Sequence, residues 1–233
     1  LIKVVIFDID GTLVDHLGAQ QAALAGLYEM LEEAKRVSFD EFAATWQREA
    51  ERYMERYLAG NITFVQQRLL RVKAVYESLG EWATDERAMI VFRNYLATYE
   101  GSWQLYDDVL PCLDSLDGYR LAVVSNGDSG QQRRKLERTG IASRFESVVI
   151  SGDLDVSKPH PDIFGTSLRE LGVPAEEAVY VGDDLESDAL GATGVGMRAV
   201  WLAREGCAGD PADLSVPVVA SLSQVEKVLT TFR

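Results

Sequence analysis

The sequence predicts an α/β protein: a doubly wound parallel sheet whose chain is interrupted by an all-helical domain. Three observations predict it. Short β-branched runs of strand length open the chain and recur through its second half. Helical patterns ending on glycine separate those runs, and one long stretch near the N-terminus has helical periodicity alone. Strands alternating with short helices build βαβ units, and these pack into a parallel sheet covered on both faces.

The first element is Ile2–Ile9, IKVVIFDI, a buried parallel strand that runs into the glycine turn DGTL. From about Gln20 to Tyr99 the rhythm changes, with no proline and no strand-like run. AALAGLYEMLEEAKR, FDEFAATWQREAERYMERYLAG, TFVQQRLLRVKAVYESLG and DERAMIVFRNYLATYEG each repeat apolar residues three and four apart, which predicts four helices. Ser38 followed by Glu41 predicts a capping box at the second. This module follows a strand whose sheet partners arrive only later, so it is an insertion. The core is expected over 1–15 and 100–233 and the helical domain over 16–99. Trp46, Tyr53, Tyr57, Trp82, Phe92 and Tyr95 are expected to form the helical domain's core and its face toward the sheet domain.

The sheet resumes with YRLAVVSNG (119–127), SVVIS (147–151) and EAVYVGDD (177–184), then the weaker GVGMRAV (194–200) and VPVVA (216–220). Helices over Gln131–Arg138, Asp162–Leu171 and Asp184–Ala192 are expected to close on Gly140, Gly172 and Gly194 as C-caps.

In open parallel sheets ligands gather beyond the C-terminal strand ends, and the polar residues of this chain fall there. The first strand delivers Asp8 and Asp10, the second Ser125 and Asn126, and the fourth Asp183 and Asp184, with Asp188 in the turn that follows; Lys158 comes shortly after the third. Alternation puts Asp8 and Asp10 on one side of their strand. With Asp183 they make a hard oxygen cluster suited to magnesium, and neither thiol nor imidazole offers a soft alternative. Ser125 and the backbone donors near Asn126 can hold phosphate oxygens, and Lys158 can offset negative charge at a nucleophile.

FDIDGTLVD (7–15), VVSNG (123–127), KP (158–159) and VGDDLESD (181–188) resemble the four ordered motifs of the haloacid dehalogenase (HAD) superfamily. The helical insertion is similar to the type-1 cap of its subfamily I, phosphatase-like branch. The resemblance spans nearly the whole chain. It implies a HAD-like Rossmannoid core in which Asp8 is the nucleophile that becomes an aspartyl-phosphate and Asp10 is the acid and base. It further implies a magnesium ion held by Asp8, the backbone carbonyl of Asp10, and Asp183. Ser125 and Asn126 would hold phosphate together with Lys158, and Asp184 and Asp188 would stand behind the metal ligands. Asp10, used first as acid and then as base, is expected to have a pKa near working pH.

The implied activity is magnesium-dependent hydrolysis of a small phosphate monoester, extending to nucleotides. A β-phosphoglucomutase-like sugar phosphate mutase uses the same two aspartates and stays open. A 2-haloacid dehalogenase is disfavoured, because halide leaves without a proton and an aspartate at position 10 is then superfluous. A non-enzymatic HAD-like scaffold or regulator is disfavoured by the intact polar set. The loop YLAGNIT (57–63), with Arg52 and Arg56 before it, is a candidate for substrate selection, although helix-face arginines are commonly just solvated. His16 and His160 read as local polar contacts.

The 37 acidic and 23 basic residues give a formal charge of −14, which opposes non-specific binding to nucleic acid or anionic membranes. Residues 16–95 hold 10 basic and 12 acidic groups, so the acidity belongs mainly to the sheet domain. Cys112 and Cys207 have neither metal-ligand spacing nor a disulfide framework around them, which fits a reducing compartment. No apolar run approaches the roughly 18 residues of a membrane span, and no basic n-region precedes an apolar h-region. The expectation is a cytoplasmic protein, monomer or homodimer, with a small-molecule phosphoester as its partner and no membrane.

Overall fold

The computed structural model describes residues 1–204 and 216–232; Cys207 lies outside them. The chain divides into two compact units, Leu1–His16 with Trp103–Arg233, and Leu17–Ser102.

The first unit is built on six parallel strands: β1 (Val4–Phe7), β2 (Arg120–Ser125), β3 (Ser147–Ile150), β4 (Ala178–Gly182), β5 (Arg198–Leu202) and β6 (Val218–Val219). Their order is β3-β2-β1-β4-β5-β6. The chain steps outward from β1 to β3, then returns to β4 on the other side of β1, so a topological switch point lies between β1 and β4. β1 is buried at every position, as its unbroken apolar run predicts. Val4 and Ile6 pack with Ala178, Tyr180, Ile163 and Phe164 on one face; Val5 and Phe7 alternate to the other.

Within this unit the helices are α5 (Val109–Ser115), α6 (Ser129–Arg138), α7 (Pro161–Leu171), α8 (Gly191–Gly194) and α9 (Val225–Leu229). α7 has its proline at the first turn and ends on Gly172 in the left-handed region, φ 65°. His160 caps it, Nδ1 accepting the Asp162 N–H. The helix expected over Asp184–Ala192 is instead a π-turn, Leu185–Leu190, running into α8. Its left-handed glycine is Gly196, φ 87°, rather than Gly194.

The second unit holds α1 (His16–Met30), α2 (Phe39–Leu58), α3 (Phe64–Ser78) and α4 (Asp85–Gly101). α1 opens earlier than its pattern suggests and stops at Met30; Glu32–Arg36 form a separate tight 3₁₀ turn, with Leu31 and Ala34 buried. Ser38 caps α2 by accepting the Glu41 N–H at 3.2 Å. A full capping box forms at α3, where Thr63 and Gln66 satisfy each other's backbone donors. Leu27, Phe42, Trp46, Val72 and Phe92 share the buried core. Tyr53 and Tyr95 are buried too, but Trp82 is 75 % exposed. It follows the Gly80 turn ahead of α4, outside any helical stripe, so periodicity gave no reason to bury it. Arg52 and Arg56 lie over the Tyr53 ring, and Arg52 also pairs with Glu49. Among the described residues no helix is long and apolar enough to cross a membrane.

Candidate active site

β1 ends at Phe7, in register with Val123 of β2 and Val181 of β4, so Asp8 leaves the sheet at the switch point. Its buried carboxylate accepts a hydrogen bond at Oδ1 from Lys158 Nζ, 2.8 Å away. The same ammonium donates to Asp188 Oδ1 at 2.6 Å and to the Tyr180 hydroxyl at 3.0 Å. Tyr180 stands inside β4 and donates in turn to the Val124 carbonyl at 2.6 Å. Burial by itself would depress the Lys158 ammonium, but Asp8 and Asp188 hold its pKa above the ordinary value. Asn126 fixes the lysine's backbone: Oδ1 accepts the Lys158 N–H at 2.8 Å and Nδ2 donates to its carbonyl at 3.1 Å.

Asp183 follows β4. Thr12 Oγ1 donates to its Oδ1 at 3.0 Å, and Trp201 Nε1 to its backbone carbonyl at 2.8 Å. One carboxylate oxygen from each of Asp8, Asp183 and Asp188 lies within 4.8 Å of the others. Three carboxylates thus share one ammonium, an excess of two negative charges. Burial, then Asp8 and Asp188, push the Asp183 carboxyl up to about 7, and burial likewise raises Asp188. An all-oxygen cluster with that excess suits a hard divalent cation. Two glycines make room for it. A Cβ on Gly11, whose φ is 78°, would overlap the Asp183 carboxylate, and one on Gly182 would overlap Asp188.

The expected magnesium set meets this geometry unevenly. The Asp8 and Asp183 carboxylates are in the cluster, but the Asp10 carboxylate is not, which leaves Asp10 only its backbone carbonyl for a metal. Asp188 stands within the cluster, yet Lys158 engages its Oδ1 and the Asp184 N–H its Oδ2 at 3.1 Å. Asp184 is exposed and its Oδ1 accepts the Ser187 N–H at 2.7 Å, capping the π-turn. The structure therefore gives Asp184 a capping contact in place of one with the cluster.

Asp10 has partners of its own. Lys135, a buried residue of α6, donates to Oδ1, and Gln132 Nε2 donates to Oδ2 at 2.9 Å. The Gln132 amide also reaches Ser125 Oγ at 3.1 Å and the Asn126 carbonyl at 3.0 Å, tying the ends of β1 and β2 together. Burial favours a neutral Asp10, but Lys135 and then His16 outweigh it and hold the carboxyl below its ordinary value. The expectation of a pKa near working pH is thus not met; the resting group is the base form. The Asn126 side chain engages the Lys158 backbone, and the Gly127 N–H donates to Ser151 Oγ at 2.9 Å.

A further tie holds the turn that carries both aspartates. Arg204 donates to the carbonyls of Gly11 at 3.1 Å and Thr12 at 2.8 Å while its fork grips Asp108, and its guanidinium lies 3.8 Å over the Tyr106 ring. Asp108 also accepts from Ser221 Oγ and the Leu222 N–H.

The profile of one family, haloacid dehalogenase-like hydrolase, matches residues 2–196. The chain belongs to this family. Among its relatives, the glyceraldehyde 3-phosphate phosphatase of Methanopyrus kandleri is 33 % identical over 210 residues, covering 88 % of this chain and 85 % of the relative. A HAD phosphatase from Thermococcus onnurineus is similar in structure, with a TM-score of 0.67, 30 % identity and 98 % of each chain covered. A 2-haloacid dehalogenase from Pseudomonas syringae gives a TM-score of 0.71, 28 % identity and 100 % of each chain.

Several residues of this HAD hydrolase site escape a reading of its sequence. Gln132 and Lys135 lie on a mostly polar helix, where no apolar stripe marks the inward face; their only signal is a three-residue spacing that also aligns them with Leu136. Tyr180 reads as one more strand aromatic. Thr12 reads as a turn residue, and Arg204 lies far along the chain from the turn it grips.

Proposed function

We propose that this HAD hydrolase cleaves the phosphate monoester of a small metabolite through an aspartyl-phosphate. The observation that supports this most is the segregation of two neighbouring carboxylates. Asp8 is tied to Lys158, whereas Asp10 is tied to Lys135 and Gln132. Carboxylates held in different electrostatic environments take different roles. The relatives from Methanopyrus and Thermococcus carry phosphatase in their names and point the same way.

In this reading a carboxylate oxygen of Asp8 attacks phosphorus as the ester P–O bond breaks, and Asp10, protonated in the substrate complex, gives its proton to the leaving alkoxide. Asp10 then takes a proton from water as that water attacks the phosphoryl group, which regenerates the Asp8 carboxylate and releases phosphate. Lys158 orients the nucleophile and offsets phosphoryl charge, and Ser125 contributes its hydroxyl to the phosphate oxygens. Asp8, Asp183 and the Asp10 carbonyl would hold magnesium, with Asp188 beside them. Bound there, the ion supplies Lewis-acid neutralisation of phosphoryl charge.

The test is phosphate release from glyceraldehyde 3-phosphate, sugar phosphates, nucleotides and p-nitrophenyl phosphate, with magnesium or with EDTA. Release that needs magnesium and disappears in Asp8→Asn upholds the reading; unchanged release by Asp8→Asn refutes it. A second reading, 2-haloacid dehalogenase, is favoured by the Pseudomonas structure. Chloride release from 2-chloropropionate in EDTA would establish it.

A further inference from the structure

Tyr180 puts a hydroxyl inside an apolar cluster of the sheet domain. It is fully buried in β4 among Val4, Ile6, Ala122, Val124, Ile163 and Phe164. Its register partner is Ile6 of β1, whose own partner in β2 is Ala122. From β4 the side chain passes β1 and donates to the Val124 carbonyl of β2 at 2.6 Å. The Phe164 ring meets it edge-on, with centroids 5.4 Å apart, which fixes the direction of the hydroxyl. The same oxygen accepts from Lys158 Nζ at 3.0 Å.

An ammonium has three N–H bonds, and each one here has its own acceptor. Asp8 Oδ1 takes the first at 2.8 Å, Asp188 Oδ1 the second at 2.6 Å and Tyr180 the third. A buried N–H left without an acceptor is costly. Without the hydroxyl the ammonium would turn to share its two carboxylates among three N–H bonds, and its line to Asp8 would bend. That bond also accounts for the hydroxyl. A phenylalanine would fill the same space with no polar atom to desolvate, and a neutral bond to Val124 does little more than offset the burial. The bond to the ammonium is charge-assisted and about twice as strong.

We propose that Tyr180 is a positioning residue for the nucleophile. Its hydroxyl takes the third N–H of Lys158 and so holds the ammonium, and through it the Asp8 carboxylate, with Oδ2 turned to phosphorus. That the held carboxylate attacks phosphorus rests on the phosphatase reading; that Tyr180 holds Lys158 does not.

Hydrolysis of p-nitrophenyl phosphate by the full-length protein, with saturating magnesium, tests it in a double-mutant cycle. Tyr180→Phe is expected to lower kcat about tenfold, the scale of one charge-assisted hydrogen bond, with KM changed less than about twofold. In Lys158→Met protein no ammonium is left to hold, so the same substitution should change kcat by less than about twofold. A side chain that only packs the sheet would cost the same factor in both backgrounds. That outcome, a loss confined to KM, or no loss from Tyr180→Phe in the wild type overturns the proposal. Should Tyr180→Phe not fold, Tyr180→Met removes the hydroxyl with a flexible chain and carries the same cycle. If the wild type releases no phosphate, the phosphatase reading has failed, and nitrogen NMR relaxation of the Lys158 ammonium decides, its signal assigned by its loss in Lys158→Met. Faster rotation of that ammonium in Tyr180→Phe than in wild type upholds the hold on Lys158, and an unchanged rate overturns it.

Discussion

Lys158 Nζ lies 2.8 Å from Asp8 Oδ1, buried beneath the C-terminal end of the central strand. A carboxylate held this way has one oxygen fixed and the other left for chemistry, and the lysine cannot leave without exposing the buried Asp8 and Asp188 to one another. Lys158→Met should lower phosphate release by about 10²–10³-fold, the usual loss when one preorganised charge is removed. Its melting temperature should depend more steeply on magnesium than that of the wild type. Steady-state kinetics and thermal melts with and without magnesium check both.

Gln132 and Lys135 both donate to Asp10, and Gln132 also reaches Ser125. Lys135→Met and Gln132→Ala should therefore lower kcat by about tenfold or more, the scale of a weakened general acid–base group, with a smaller change in KM. A change confined to KM would show that these residues serve binding instead.

Gly11→Ala places a methyl group against the Asp183 carboxylate at a φ of 78°. It should cost about 1–3 kcal/mol of stability, as strained side chains in the left-handed region do, and weaken magnesium affinity. Calorimetric titration with magnesium chloride, beside a denaturant melt, separates the two effects.

Asp108 connects Arg204, Ser221 and Leu222 to the turn that carries the aspartates. Burial favours its neutral form, but Arg204 and Ser221 outweigh that and hold the carboxyl below its ordinary 3.8. A folded-state pKa below the unfolded one adds stability that is fully present above the unfolded value and is lost as pH falls through the folded value. The wild type should exceed Asp108→Asn by about 1–3 kcal/mol at neutral pH, with the difference shrinking in acid as pH falls from the ordinary carboxyl value through the lower folded-state one. Parallel urea melts of the two proteins across that range provide the measurement.

Legibility in the sequence followed how local each signal was. The β-branched runs announced every strand of the sheet, and the three- and four-residue spacing announced α1–α4, because burial of one face is written into adjacent residues. Asp8, Asp183, Asp188 and Lys158 could be gathered because strand ends in a parallel sheet share one edge. What stayed hidden depended on tertiary partners. Lys135 has only Leu136 as an apolar neighbour on its helix, too little to announce its burial, and Asn126 turns to the Lys158 backbone. Trp82 stays in solvent although its composition suggests a core residue, and nothing local foretold that Asp10 and Asp8 would rest on different lysines.

The central claim is that Asp8 becomes covalently phosphorylated. The direct measurement is an acid quench during turnover of a substrate, followed by borohydride, which reduces an aspartyl-phosphate to homoserine, and peptide mass spectrometry. Homoserine at position 8, formed only with substrate and absent from Asp8→Asn, is the predicted result. Phosphate release in wild type with position 8 unmodified throughout turnover would contradict it.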